Sequence, residues 1–346
     1  MICICWLGFP QYGARCVREF VHSTEEKVVV IATKPNVPIK GMDALAGCPV
    51  YWIPIDYNGS IRDVVGEMPR VITVPSWRFK AFDRFRKEVR LAGGVAMLMS
   101  DNNFVLTWRT IGKMILMRLG YRFLYDGYFV PGRSGAKLMR YFGVRDDQIY
   151  TGLYSADGAL FRNGPKITER AKRILFVGSF NDNKNVMAIC KAFLSVSADI
   201  RNGWQLEMCG CGPLKEDLPS DDAVLIHDFV QPEMLYKIYQ GARCLVLASK
   251  FDHFGLVVHE ATLSGCLLLL SNQVGAADDL LDETVNGFSF SPYSLEEMKM
   301  AMEKLMLMSD EEMEKGQVRS LELASKISLT SFANALTNFI AKLDRK

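Results

Sequence analysis

Ala248-Ser249-Lys250-Phe251-Asp252-His253-Phe254-Gly255-Leu256-Val257-Val258-His259-Glu260-Ala261 joins the end of an apolar run to a polar turn and then to a helical pattern. The run before it, Cys244 to Leu247, has the length and composition of a buried strand, and Phe254-Gly255-Leu256 opens an amphipathic helix. Strand, loop and helix in that order form the repeating unit of a parallel sheet. The start of such a helix carries backbone N–H groups with no helical partner, and a glycine there lets an anion approach closely. Two carboxylates bracket that start: Asp252 in the turn, and Glu260 two turns into the helix. A carboxylate facing a cleft can accept from both hydroxyls of a ribose or of a sugar diol.

Working outward, the same unit recurs. Arg173 to Val177 is a strand, Gly178 and the polar turn Ser179 to Asn183 follow, and Val186, Ile189, Ala192 and Phe193 then repeat at helical spacing. Gln205 to Cys209, Val224 to Ile226 and Cys266 to Leu270 are further strands. Near the N-terminus, Ile2 to Leu7 runs into Gly8-Phe9-Pro10-Gln11-Tyr12-Gly13, after which Cys16, Val17, Phe20 and Val21 have helical spacing. Val28 to Ala32, Val71 to Val74 and Gly94 to Met99 continue the series. Strands that alternate with helices in both halves predict two Rossmann-like, doubly wound α/β domains facing a central cleft. The turn-rich Arg162-Asn163-Gly164-Pro165 divides them. The expected domains are 1–165 and 166–330, with 331–346 a C-terminal helix that packs back toward the first.

Residues 1–165 hold 22 Lys and Arg against 14 Asp and Glu, a net charge of +8, whereas residues 166–346 hold 19 against 25, a net charge of −6. The first half is therefore expected to face something anionic. No apolar run reaches the roughly 18 residues that a membrane-spanning helix needs, and no leader pattern opens the chain. A soluble, cytoplasmic protein is expected, and the nine cysteines fit a reducing compartment. Cys3/Cys5 and Cys209/Cys211 are C-x-C pairs with no histidine completing a zinc set, so they read as inert thiols on one strand face, and no metal is expected. No G-x-G-x-x-G follows either opening strand, which argues against a dinucleotide-dependent dehydrogenase, and there is no D-x-D for a metal-held diphosphate.

The motifs from residue 173 to about 290 resemble glycosyltransferase family 4, the retaining GT-B nucleotide-sugar enzymes. Asp252-x7-Glu260, with Phe254-Gly255-Leu256 inside it and Ala261 after, is similar to that family's E-x7-E signature. Phe176-Val177-Gly178 with Lys184-Asn185, the turn Gly210-Cys211-Gly212-Pro213-Leu214, the spacing of Leu235, Tyr239 and Ala242, then Val274-Gly275 and Asn286-Gly287-Phe288 follow in the family's order. Ser179 stands where the family usually has Arg, and Asp252 where it has Glu.

The resemblance implies a metal-independent glycosyltransferase that uses a nucleotide diphosphate sugar as co-substrate and no other cofactor. Lys184 would neutralise the leaving diphosphate, and the N–H groups of Phe254, Gly255 and Leu256 would hold the distal phosphate. Glu260 would take the ribose hydroxyls and Asp252 a hydroxyl of the transferred sugar. The backbone near Phe229 and Val230 would meet the base, with Gly178, Ser179 and Gly13 lining the donor site. In the first domain Asp101 is the candidate to hold or deprotonate the acceptor hydroxyl. The acceptor is expected to be a glycolipid or polysaccharide intermediate. A sugar-nucleotide epimerase of the same architecture, or a weakly active nucleotide-sugar-binding subunit, remains open.

Residues 76–125 carry the basic excess among aromatic and apolar residues. Arg78, Lys80, Arg84, Arg86, Lys87 and Arg90 alternate with Trp77, Phe79, Phe82 and Phe85, and Arg109, Lys113, Arg118 and Arg122 stand among Trp108, Ile111, Met114, Ile115 and Leu119. The expected partner is an anionic membrane surface on the cytoplasmic face, not a nucleic acid.

Overall fold

The computed structural model describes residues 1–35, 41–76 and 78–344, apart from the side chains of Pro232 and Glu233. It divides into two units, Met1–Ser155 with Ser328–Lys346, and Ala156–Ile327.

In the first unit seven strands form one sheet: β1 (Ile2–Trp6), β2 (Val28–Ala32), β3 (Val50–Trp52), β4 (Val71–Val74), β5 (Val95–Met99), β6 (Gly127–Val130) and β7 (Ile149–Thr151). Their order is β3-β2-β1-β4-β5-β6-β7, and every pairing is parallel. Strands buried on both faces need apolar residues at every position, which is why Ile2–Trp6, Val28–Ala32 and Val71–Val74 read as unbroken runs. Side chains alternate between two cores. Ile2, Ile4 and Trp6 meet the helix Gln11–His22 on one face, and Cys3 and Cys5 meet Phe82 and Phe85 of the helix Lys80–Leu91 on the other.

The helix Leu329–Leu343 completes the first of those cores. Phe332, Leu336 and Phe339 are buried there with Trp6, Phe20 and Phe129. Gly127 and Gly152 lie so close beneath it that a Cβ on either would stand 2.8 Å from the Phe339 ring or 3.0 Å from Ser331.

In the second unit six strands pair in parallel in the order β10-β9-β8-β11-β12-β13: β8 (Arg173–Val177), β9 (Gln205–Cys209), β10 (Val224–His227), β11 (Cys244–Leu247), β12 (Leu267–Ser271) and β13 (Gly287–Phe290). This unit begins at Ala156 because the segment after it is tied down. The Ala156 N–H donates to His259 Nδ1 at 3.1 Å, and buried Arg170 donates to the carbonyls of Pro165, Ala242 and Ser264 at 2.9–3.2 Å. The turn at Arg162 to Pro165 thus lies inside the domain.

Two surface expectations change. Phe82 and Phe85 are fully buried and Arg86 is nearly so, because the helix Lys80–Leu91 turns its aromatic stripe onto the sheet. Residues 78–90 therefore do not form an aromatic-basic face, and Trp77 lies outside the described residues. Cys211 is exposed, unlike Cys209, because β9 ends at Cys209 and strand alternation stops at Gly210. None of the nine cysteines is in a disulfide. Among the described residues no helix is long and apolar enough to cross a membrane, and no group of three or more His, Cys, Asp or Glu is placed to hold a metal ion.

Candidate functional site

The chain leaves β8 toward β9 on one side and comes back to β11 on the other, so the second sheet reverses its winding between β8 and β11. Loops leaving the C-terminal ends of two such strands diverge, and ligands of open α/β sheets bind in the crevice between them. Val177, Gly178 and Ser179 at the end of β8, Cys209, Gly210 and Cys211 at the end of β9, and Phe229, Val230 and Leu235 line a pocket of about 150 Å³. Its floor depends on a glycine. A Cβ at Gly210 would stand 1.9 Å from the Gly178 carbonyl oxygen, so no other residue lets the ends of β8 and β9 approach this closely.

Two loops are laced together beside that pocket. The Lys250 N–H donates to the Asn183 carbonyl at 2.8 Å, the Asn183 amide donates to the Phe251 carbonyl at 2.9 Å, and Lys250 pairs with Asp182 at 2.7 Å. Within this lacing the Lys184 ammonium meets Asp252 Oδ2 at 2.5 Å, and the Ser249 hydroxyl donates to the same oxygen at 3.2 Å. Lys184 is held by its own backbone, whose N–H donates to Asn181 Oδ1 at 2.9 Å. Asp252 does not cap the next helix. Its backbone bridges to Val274, with its N–H on the Gln273 carbonyl and its carbonyl taking the Gly275 N–H, both at 3.1 Å.

The helix Leu256–Leu263 starts two residues later than the sequence suggests, because Gly255 adopts φ +85° as its N-cap. Phe254 is consequently buried ahead of the helix and its carbonyl takes the Ala276 N–H at 2.8 Å. The N–H groups of Gly255, Leu256 and Val257 have no acceptor among the described residues.

Glu260 lies on that helix with one oxygen engaged. The hydroxyl of Tyr239, from the helix Pro232–Gly241, donates to Glu260 Oε2 at 2.8 Å. Burial raises the Glu260 carboxyl to about 7, and the Tyr239 bond opposes that rise. His259 faces the other way. Its Nδ1 accepts from Ala156 and its Nε2 meets the Ala324 carbonyl at 3.1 Å, and burial lowers its pKa to about 4.

Gly178, Ser179, Phe229 and Val230 therefore share one pocket, with Lys184 and Asp252 in mutual contact and Gly255, Leu256 and Glu260 on one helix, all in the second unit. Asp101 and Gly13 belong to the first. Gly13 lies in the first turn of Gln11–His22, where a Cβ would stand 3.0 Å from the Trp6 ring, so it lets that helix seat on β1. Asp101 follows β5 and hydrogen-bonds the buried Tyr154 hydroxyl, whose pKa rises through burial and through that charge. Tyr239, Asn181 and Ser249 were not among the expected site residues. The spacing of Leu235, Tyr239 and Ala242 brought Tyr239 to attention only as part of a pattern, and nothing in the sequence tied its hydroxyl to Glu260.

Residues 159–328, just under half the chain, match the family model described as Glycosyl transferases group 1. The uncharacterized glycosyltransferase MJ1607 of Methanocaldococcus jannaschii is 24% identical over 173 residues, covering 48% of this chain and 44% of that protein, so the alignment spans less than half of its length. Among solved structures, HepE of Anabaena in complex with UDP is 12% identical with a TM-score of 0.76 and coverage of 99% of both chains. HepE was also crystallised with UDP-glucose. Sucrose-phosphate synthase from Thermosynechococcus elongatus is 14% identical, with a TM-score of 0.73 over 100% of both chains. Residues 159–328 thus carry a Glycosyl transferases group 1 domain, in a chain whose two parallel-sheet α/β domains have the GT-B architecture.

Proposed function

We propose that this protein is a retaining glycosyltransferase that moves a sugar from a nucleoside diphosphate sugar to a glycolipid or polysaccharide intermediate, without a metal ion. The observation that carries the reading is the Lys184–Asp252 pair beside the open N–H groups of Gly255, Leu256 and Val257, one helix face from Glu260. Each member answers one part of a nucleotide sugar. The pocket at Phe229 and Val230 takes the base, and Glu260 the ribose hydroxyls. The open N–H groups and Lys184 take the diphosphate, whose charge grows as it leaves. Asp252 takes a hydroxyl of the sugar, and Asp101 the acceptor hydroxyl. Crystals of HepE with UDP-glucose favour a uridine donor. A panel of UDP- and GDP-sugars, read by thermal stabilisation, tests the donor half. One nucleotide sugar should raise the melting temperature, with no added metal. If none does, the reading fails.

The acceptor reading extends to where the protein works. The helix Trp108–Leu119 buries only Met117, while Leu106, Trp108, Leu119 and Phe123 are 62%, 89%, 78% and 68% exposed. Arg109, Lys113, Arg118 and Arg122 lie among them, and no Asp or Glu occurs from residue 102 to 125. Exposed apolar side chains in a stretch that carries cations and no carboxylate match an anionic membrane surface, each cation contributing about 1 kcal/mol. The protein should co-sediment with vesicles containing anionic lipid at low salt, and Trp108→Ala with Leu119→Ala should abolish this. No recovery with anionic vesicles at low salt would point to a soluble acceptor, and equal recovery with neutral ones would contradict the role of the cations.

A further inference from the structure

Tyr239 is completely buried, yet its hydroxyl does not end in the core. It reaches the only carboxylate on the Leu256–Leu263 helix, bonding Glu260 Oε2 at 2.8 Å, while its ring packs edge-on against Phe161 and its carbonyl takes the Cys266 thiol at 3.2 Å. Its partner's other oxygen, Oε1, has no hydrogen-bond donor among the described residues, and Glu260 as a residue is only partly buried. One oxygen is therefore fixed and one left to accept.

We infer that Tyr239 is a positioning residue for nucleotide binding: its hydroxyl fixes Glu260 so that Oε1 meets the ribose, and it holds that carboxyl in the charged, accepting form. The inference rests on the reading of Glu260 as the ribose acceptor and adds a second residue, outside the ligand's reach, on which that role depends. Rotation about the three side-chain bonds of a glutamate would otherwise turn its oxygens freely, and a hydroxyl donor fixed in the core removes that freedom.

Among the described residues no other titratable side chain bonds the carboxylate. His259, the neighbour on its own helix, is turned to Ala156 and Ala324. Cys266, at the entrance to β12, bonds the Tyr239 and Ala242 carbonyls, and Arg170 is engaged by the carbonyls of Pro165, Ala242 and Ser264. Among the described residues no side chain of the helices Ala277–Leu280 and Asp310–Ala324 bonds Glu260. With burial opposed by the Tyr239 bond alone, removing that bond moves the proton equilibrium upward.

The test is a calorimetric titration of wild type, Tyr239→Phe and Glu260→Gln with UDP and GDP, which share the ribose, from about pH 6 to 9. Comparison between variants cancels the titration of the ligand's own phosphate. Wild type should lose affinity as pH falls through about 7, the value to which burial raises Glu260. In Tyr239→Phe the same loss should begin at higher pH, giving roughly fivefold to tenfold weaker binding at neutral pH and a smaller deficit at the alkaline end, where only the orientation of the carboxylate is lost. Glu260→Gln should lack this component altogether. A Tyr239→Phe curve superimposed on wild type, or displaced equally at every pH, would overturn the inference and leave Tyr239 as packing alone. Identical curves for wild type and Glu260→Gln would instead overturn the ribose role of Glu260. No binding of either nucleotide to wild type would overturn both.

Discussion

Lys184 and Asp252 neutralise each other in a half-buried setting, so any diphosphate that binds Lys184 competes with a carboxylate already there. Truncating Lys184 to Ala should weaken nucleoside diphosphate binding by about 1.5–3 kcal/mol, the range for a hydrogen bond to a charged group. Asp252→Asn acts in the opposite sense on the bare nucleotide. It loosens the competitor, so UDP affinity should hold or rise while turnover of the nucleotide sugar falls. Parallel losses of affinity and turnover in Asp252→Asn, by calorimetry and steady-state kinetics, would give Asp252 a phosphate-loop role instead. Glu260 and His259 are chain neighbours with opposed titrations. The His259 pKa is lowered from 6.5 to about 4, so its contribution to stability is present above pH 6.5 and lost as pH falls toward 4. The Glu260 pKa is raised from 4.5 to about 7, so its ionisation costs stability as pH rises across that range. In wild type the two slopes offset. Glu260→Gln should unmask the histidine, giving a steeper loss of urea stability from pH 7 to 4.5 than wild type; equal slopes would contradict the burial of one of the two groups.

At the scale of elements, the strands were legible because a buried parallel strand is apolar at every position, and Ile2–Trp6, Val28–Ala32 and Leu267–Ser271 show it. Helix starts were less legible. Phe254 looked like a first-turn residue, but Gly255 in the left-handed region delays the helix, and only coordinates report φ. Which face of a basic helix is buried was not legible either. Lys80–Leu91 and Trp108–Leu119 carry similar mixtures of cations and apolar residues, yet the first packs Phe82 and Phe85 inside and the second exposes Trp108 and Leu119. The contact between Tyr239 and Glu260 joins two helices across 21 residues of sequence, and no spacing rule connects them. Close approach at the ends of β8 and β9 yields a further expectation. Gly210→Ala puts a methyl 1.9 Å from the Gly178 oxygen, and with the strand ends forced apart it should cost about 1–3 kcal/mol and the nucleotide pocket with it. A Gly210→Ala protein that melts and binds UDP like wild type would show that the pocket floor tolerates the shift.

For the whole molecule, two separately wound sheets account for the chain, and the order β10-β9-β8-β11-β12-β13 explains why Gly178, Lys184, Asp252 and Glu260, spread over more than eighty residues, come from one end of one sheet. The charge asymmetry has the same organisation: the +8 half carries the exposed Trp108–Leu119 helix, and the −6 half carries the proposed donor site. The measurement that bears most directly on the transferase reading uses the purified full chain, the nucleotide sugar selected by thermal stabilisation, and a lipid-linked glycan acceptor on anionic vesicles, without added metal. Products are then resolved by mass and by the anomeric proton coupling. The account predicts a new glycoside with the donor's anomeric configuration, formed only when acceptor is present and lost in Asp252→Asn. An epimerised nucleotide sugar formed without acceptor, or a tightly bound donor returned unchanged with every acceptor tried, would contradict it.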